Sequence, residues 1–207
     1  MPKGTKELTS SRREEIINAC EKLYQTKTFK EITIKDIAEE TSFARPSIYN
    51  YFETKEEIFL SLLCREYVLW NKELQDMYHS HKTMTKDEFA SAVAHTLEHR
   101  TQLLRLKAMN RYSMEKHSRI EYLVQHRKAG AATMDTIGKC LKTYFPEMND
   151  GDVQSFIYSF FPFLYGIYPY TEVSENQQAA IEEAGIPFQY MTIYEITYNC
   201  IRRLLGM

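Results

Sequence analysis

From Ile16 to Leu205 the apolar residues return at three- and four-residue intervals, and no strand-length stretch alternates between apolar and polar. That spacing admits helices and excludes sheets. In the opening segment Ile16, Ile17, Cys20, Leu23 and Tyr24 form one apolar stripe. Start signals accompany the periodicity: Ser11 with Glu14, Thr33 with Asp36, Thr54 with Glu57 and Thr85 with Glu88 are spaced as capping boxes. In such a box the hydroxyl and the carboxylate satisfy each other's backbone N–H groups. Only 7 Gly and 6 Pro are present, too few for a turn-rich β fold. The pattern predicts an all-α chain. Its helices are placed from Ser11 to a fading end near Thr26–Thr28, in a short stretch after Thr33 that carries Ile34, Ile37 and Ala38, at about 45–52, from Thr54 to about Tyr78, and at 86–99, 101–115, 119–145, 151–169, 174–185 and 188–205. Gly185 and Pro187 stop the penultimate one.

The first four helices, the middle two very short, make a distinct unit; within it a three-helix reader domain is set at 1–54, with a larger helical domain at 55–207. Charge is distributed unevenly over this plan. The formal net charge of -2 resolves into -1 for residues 1–60, +5 for 61–142 and -6 for 143–207. A balanced total argues against a broadly basic nucleic-acid surface, so any DNA contact here must rest on a few placed groups. The four cysteines (Cys20, Cys64, Cys140 and Cys200) are far apart, as expected of small buried residues in a reducing compartment. The N-terminal segment has no apolar core, and no apolar run is long enough to span a bilayer, so a soluble, cytoplasmic protein with no membrane partner is expected.

The short pair of helices fits a helix-turn-helix mask. Ala38 is the small residue where the second helix crosses the first, Ser42 lies in the tight turn, and Ile48 is the branched apolar residue six positions on. Ile34, Ile37, Phe43 and Tyr51 supply the supporting apolar positions. The outward residues of the second helix are then Arg45, Pro46, Ser47, Tyr49 and Asn50. Arg45 suits a bidentate bond to guanine, a contact worth about 1–3 kcal/mol of base discrimination. Ser47, Tyr49, Asn50 and Lys55 carry groups suited to phosphates, which position the protein without specifying sequence. An exposed Tyr, Asn and Arg on so short a helix have no packing purpose.

The segment from Ser11 to about Leu63, centred on ITIKDIAEETSFARPSIYNYFETKEEIFLSLL, resembles the DNA-binding domain of TetR-family transcriptional regulators. The likeness runs from the capping Thr33 through Tyr49-Asn50-Tyr51-Phe52 to Thr54-Lys55-Glu56. It implies a ligand-responsive homodimeric repressor of a palindromic operator. It also implies that Arg45, Pro46 and Tyr49 approach bases, and that Thr33, Ser47, Asn50, Tyr51 and Lys55 approach phosphates. Two positions depart from the family pattern. Ser42 stands where Gly is usual, at a site that commonly needs positive φ, so a slightly strained turn is expected. Ala44 stands where a capping Ser is usual, which costs about 0.5–2 kcal/mol unless Pro46 preorganises the helix start.

The last third is acidic and aromatic. Helices 151–169 and 188–205 carry Phe156, Phe160, Phe163, Tyr190, Tyr194, Tyr198 and Ile201, and no Lys or Arg lies between Lys142 and Arg202. Depletion of cations with enrichment of aromatics is the composition of an interface core, so these residues are assigned to a homodimer interface. An effector pocket is assigned to Phe89, Val93, Leu97, Leu104, Met109, Tyr112, Tyr122 and Met134, although such stripes more often form ordinary core. His95 and His99 share a helix face at metal-ligand spacing but lack a third ligand, so no metal is expected. No nucleophile elbow, phosphate loop or paired carboxylates stands out, so neither an enzyme nor a cofactor is expected. The alternative is a dimeric all-α protein with an enzymatic or purely interaction role.

Overall fold

The computed structural model describes residues 6–109 and 111–207. Among these there are eleven helices and no strand: α1 Lys6–Tyr24, α2 Ile34–Glu39, α3 Arg45–Ile48, α4 Lys55–Ser80, α5 Lys86–Glu98, α6 Thr101–Lys107, α7 Arg111–Lys116, α8 Ile120–Tyr144, α9 Asp150–Thr171, α10 Glu175–Glu183 and α11 Ile193–Leu204. No helix of the described residues is long and apolar enough to cross a membrane.

Local chemistry sets most of these boundaries. Thr33 with Asp36 and Thr85 with Glu88 close the expected capping boxes on α2 and α5. Asn149 with Asp152 does the same on α9, and Thr192 with Glu195 on α11. The last of these starts α11 at Ile193, five residues later than periodicity alone predicts. Ser11 and Glu14 lie inside α1, which already runs at Lys6, so they do not begin it. The stretch 101–115 is divided into α6 and α7. Gly185 takes φ +63°, and its N–H and that of Ile186 bond Glu182 O (3.1 Å) and Ile181 O (3.2 Å), closing α10 as a Gly stop should.

The chain divides into two compact units, Met1–Arg65 with Met109–Lys128, and Glu66–Ala108 with Ala129–Met207. The first is wider than the 1–54 segment read from the sequence, because it takes in α7 and the start of α8. Its core is Ile16, Ile17, Cys20, Tyr24, Ile32, Ile37, Ile48, Phe52, Ile58 and Phe59, all buried. Phe59 forms edge-to-face pairs with Tyr24 (5.2 Å) and Phe29 (4.8 Å), a preferred aromatic geometry. The second unit is built on Trp70, Phe89, Val93, Leu97, Leu104, Phe160 and Leu164, with α11 packed on α5 and α9. The Trp70 indole N–H donates to Thr96 Oγ1 at 3.0 Å, which satisfies the one polar atom of the largest core side chain. Burial pushes the Cys140 thiol up to about 12 and the Cys200 thiol up to about 11, so both are inert apolar packing groups.

Candidate nucleic-acid interface

In the first unit, α2 is anchored by its cap. The Asp36 carboxyl is held down to about 2, first by the Thr33 hydroxyl, then by the Thr33 backbone N–H, with Lys27 adding to it. Ile37 and Ala38 face inward against Ile48 of α3. The intervening turn is secured without positive φ: no non-Gly residue among those described adopts it. Ser42 N–H instead donates to Glu15 Oε1 of α1 at 2.5 Å, and the Thr41 hydroxyl lies 2.9 Å from Ala38 O. The strain expected at Ser42 is therefore absent, because a side chain from α1 takes up the turn's N–H. Ala44 makes no side-chain cap, as its residue type requires, and Pro46 occupies the first turn of α3.

α3 has four helical residues, after which turns continue through Tyr51 N–H to Ile48 O (2.8 Å) and Phe52 N–H to Ile48 O (3.0 Å). Ile48 and Phe52 are fully buried, which turns Arg45, Pro46, Tyr49 and Asn50 outward into solvent, with Ser47 half-buried beside them. Thr33 is exposed as well. Arg45 Nη2 donates to Tyr49 Oη at 3.1 Å, so two side chains assigned to bases are held together before any DNA arrives. Lys55 is placed differently from the phosphate role expected of it. Its ammonium donates to Phe29 O (2.7 Å) and Ile32 O (2.9 Å) and lies over the Phe29 ring, so it ties the segment before α2 to the start of α4.

Tyr51, whose side chain is half-buried, contributes its backbone carbonyl to a cluster. Tyr51 O, at the end of the α3 turns, accepts from Tyr122 Oη at 2.5 Å and from Arg119 Nη2 at 3.2 Å. Arg119 in turn grips Glu57, whose side chain is 0% exposed: Nε to Oε1 at 2.8 Å, Nη2 to Oε2 at 2.9 Å, and the Arg119 backbone N–H to Oε1 at 3.0 Å. Burial alone would push the Glu57 carboxyl up, but the Arg119 bonds, with one from Glu53 N–H, outweigh it and hold the group below its ordinary value. Arg13 of α1 completes the cluster, donating to Tyr122 Oη at 2.9 Å with its guanidinium 4.8 Å from the Phe52 ring centre. Thr54, read as a box partner of Glu57, accepts from Glu57 N–H (3.3 Å) and donates to His117 O (2.8 Å). Sequence reasoning missed Arg119, which lies 62 residues from its carboxylate and inside no motif. Glu57 reads in the sequence only as a cap partner of Thr54, and its burial, which calls for a nearby cation, is visible only in the fold.

The other assigned residues separate. Phe89, Val93, Leu97 and Leu104 are buried core of the second unit and Met134 is half-buried there. Met109 and Tyr122 belong to the first unit, and the Tyr122 hydroxyl is engaged with Tyr51. The Tyr112 side chain lies outside the described residues. A cleft of about 390 Å³ in the second unit has a different lining, which includes Lys86, Met148, Asp152, Phe156 and Leu205. Among residues assigned to the dimer interface, Phe156, Phe160 and Ile201 are covered by their own chain and are core. The packing of α11 on α5 and α9 explains this. Phe163, Tyr194 and Tyr198 are half-buried and Tyr190 is exposed. Tyr194 stacks on Tyr198 and on His95, and Tyr198 donates to Asp87 at 2.7 Å. His95 also meets Glu98 at 3.1 Å.

Residues 16–62 match the family described as bacterial regulatory proteins, tetR family, and residues 64–193 match the tetracyclin repressor-like C-terminal domain. The chain is 39% identical over 62 residues to YfiR of Bacillus subtilis (strain 168), an uncharacterized HTH-type transcriptional regulator, over 30% of each chain. It is 40% identical over 48 residues to the HTH-type transcriptional regulator EthR of Mycolicibacterium smegmatis, over 23% of this chain and 22% of that one. It thus matches under a third of the length of these curated relatives. Among solved structures, the fatty acid degradation regulator FadR of Bacillus halodurans superimposes with a TM-score of 0.60 at 13% identity, over 99% of this chain and 97% of that one. FadR of Thermus thermophilus, a TetR-family repressor in complex with lauroyl-CoA, gives 0.57 at 18% identity over 93% of both chains. At these identities the likeness is one of fold.

Proposed function

Because this chain belongs to the TetR family of DNA-binding transcriptional regulators, we propose that it is a homodimeric, ligand-responsive repressor that reads a palindromic operator through α3. The observation that carries this reading is the outward set Arg45, Pro46, Tyr49 and Asn50 on a helix whose inner face is buried. Arg45 and Tyr49 meet base edges, with Arg45 suited to guanine O6 and N7. Thr33, Ser47 and Asn50 meet phosphates, and Lys55 acts there through the backbone it fixes rather than through a free ammonium.

A twofold dimer sets two copies of α3 one turn of DNA apart, roughly 34–36 Å, and so calls for a palindrome. The aromatic surface still exposed on α9 and before α11, Tyr158, Tyr170 and Tyr190, supports pairing there. A small molecule held in the second unit acts as the signal; the lauroyl-CoA complex of the Thermus thermophilus relative supports a small-molecule effector. α4 and α8 each begin in the first unit and end in the second. A ligand that favours one arrangement of those helices therefore biases the Arg119–Glu57–Tyr51 cluster, provided that it binds the two states with different affinity.

The test is selection of binding sites from a randomised duplex pool, followed by gel shift. Recovery of a palindrome, with retention lost in Arg45→Ala and Tyr49→Ala, supports the reading. A pool with no enriched sequence refutes it, and a monomeric mass at micromolar concentration refutes the dimer.

A further inference from the structure

The turn of the helix-turn-helix lacks the residues that would fix it locally. Ser42 carries a Cβ at a turn site where Gly is usual, and Ala44 offers no side-chain oxygen to the start of α3. The backbone between α2 and α3 must therefore be held by another element, and α1 holds it from one face. Arg12 and Glu15, three residues apart and so neighbours on a helix surface, are both half-buried. Glu15 Oε1 accepts the Ser42 N–H at 2.5 Å, and Arg12 Cζ lies 5.7 Å from the Phe43 ring centre. Within the turn itself, the Thr41 hydroxyl lies 2.9 Å from Ala38 O and 3.1 Å from Phe43 O. Thr41, Ser42 and Phe43 are thus each held, directly ahead of the uncapped Ala44, whose carbonyl accepts from Ser47 N–H at 2.8 Å.

We infer that Arg12 and Glu15 are positioning residues for operator recognition: they clasp the turn and so set the direction in which α3 presents Arg45 and Tyr49. This rests on the reading of α3 as the helix that meets bases, and it places part of the control of affinity on α1. The reason lies in the brevity of α3. Its four helical residues are too few to support themselves. Its direction is therefore set by the backbone that enters it and by Ile48 and Phe52 beneath it. A bidentate bond to guanine weakens steeply when its angles are wrong, so a small tilt of α3 is costly. α1 can bear the load because Ile16, Ile17, Cys20 and Tyr24 fix it in the core. Of the two contacts, the carboxylate bond is the stronger, since a charge-assisted bond outweighs a partly hydrated cation over a ring. The donor is a backbone N–H, so the bond depends on the side chain at position 15 alone.

The experiment measures, in the full chain, hydrogen exchange of the Ser42 amide by NMR and affinity for the operator selected from the randomised pool. The wild-type Ser42 amide is expected to exchange slowly. Glu15→Ala frees it, and Glu15→Gln, whose amide oxygen still accepts, keeps it protected. Operator affinity is expected to fall about tenfold in Glu15→Ala and to stay within about threefold of wild type in Glu15→Gln. In a Ser42→Gly background Glu15→Ala is expected to cost only about threefold or less, because that turn reaches positive φ without the clasp. Arg12→Met is expected to weaken binding by about threefold with an unchanged salt slope. A slope shallower by about one would make Arg12 a phosphate contact and overturn its part. A Ser42 amide that exchanges freely in the wild-type protein overturns the clasp without any variant and without DNA. Slow exchange, with Glu15→Ala binding operator like wild type, overturns the positioning role. A pool with no enriched sequence, beside a protected Ser42 amide, refutes the reading of α3 and leaves the clasp standing.

Discussion

Removing the Arg119 guanidinium tests how the reading helix is held. Arg119→Met keeps the length of the side chain but leaves the Glu57 carboxylate buried, with only the backbone N–H groups of Glu53 and of position 119 remaining once the guanidinium fork is gone. Breaking a fully buried pair costs about 3–5 kcal/mol, whereas an exposed pair contributes ~0–1. Glu57 is sealed and the Arg119 side chain is 36% exposed, so the cost falls at about 2–3 kcal/mol between those limits. The converse change, Glu57→Gln, costs less, about 1–2 kcal/mol, because the cation it strands is partly hydrated and the amide still accepts one bond. In urea unfolding this separates the midpoints of Arg119→Met and wild type by roughly 1 M. Tyr51 O also keeps only the Tyr122 hydroxyl in Arg119→Met, so operator affinity falls by about tenfold or more. The pH dependence has a definite sign. A carboxyl held below its ordinary value stabilises the fold above that value and loses the contribution as pH falls through its folded pKa. Glu57→Gln should therefore flatten the acid limb of the stability profile. If Glu57→Gln proved the more damaging change, or if Arg119→Met bound operator like wild type, the account of the cluster would be wrong.

Other expectations are simpler. Arg45→Ala should weaken operator binding by about 1–3 kcal/mol and relax specificity at one base position, read by gel shift against single-base operator variants. Thr33→Ala removes the hydroxyl half of the α2 capping box, leaves the backbone N–H of position 33 on Asp36, and should cost about 1 kcal/mol in thermal or urea unfolding. Gly185→Ala forces a side chain into φ +63° and should destabilise by about 1 kcal/mol, although nothing stands near the added Cβ. Because few cations face outward around α3, the logarithm of operator affinity should fall only gently with the logarithm of salt concentration, and a steep slope would mean that other basic residues reach the phosphates.

Much of the architecture is legible because it is local. A cap such as Thr33 with Asp36 lies within four residues, and the inward face of α3 follows from Ile48 and Phe52 alone. What faces outward on that helix follows by subtraction. The misplaced site residues have a common physical origin, since each concerns a partner far along the chain, whereas the α11 start is a local matter. Lys55 is a cation at a helix start until its two carbonyls, 26 and 23 residues away, are seen. Phe156, Phe160 and Ile201 have the composition of an interface, but apolar side chains carry no mark that distinguishes a partner subunit from a neighbouring helix. The α11 start was hidden because Phe188, Tyr190 and Met191 continue an apolar rhythm ahead of the true cap at Thr192.

The first unit is assembled from two separated stretches of chain, and this limits what can be exchanged between relatives. A graft that moved only residues 1–65 onto another effector domain would carry Glu57 without Arg119, and Phe52 and Arg13 without Tyr122. The recipient would have to supply, from its own helices, a guanidinium for the stranded carboxylate and a hydroxyl for Tyr51 O. If the second unit receives a signal, as proposed, reading and reception are therefore not interchangeable cassettes. A transferable reader must bring Met109–Lys128 with it, and with them the opening turns of the helix that continues into the second unit.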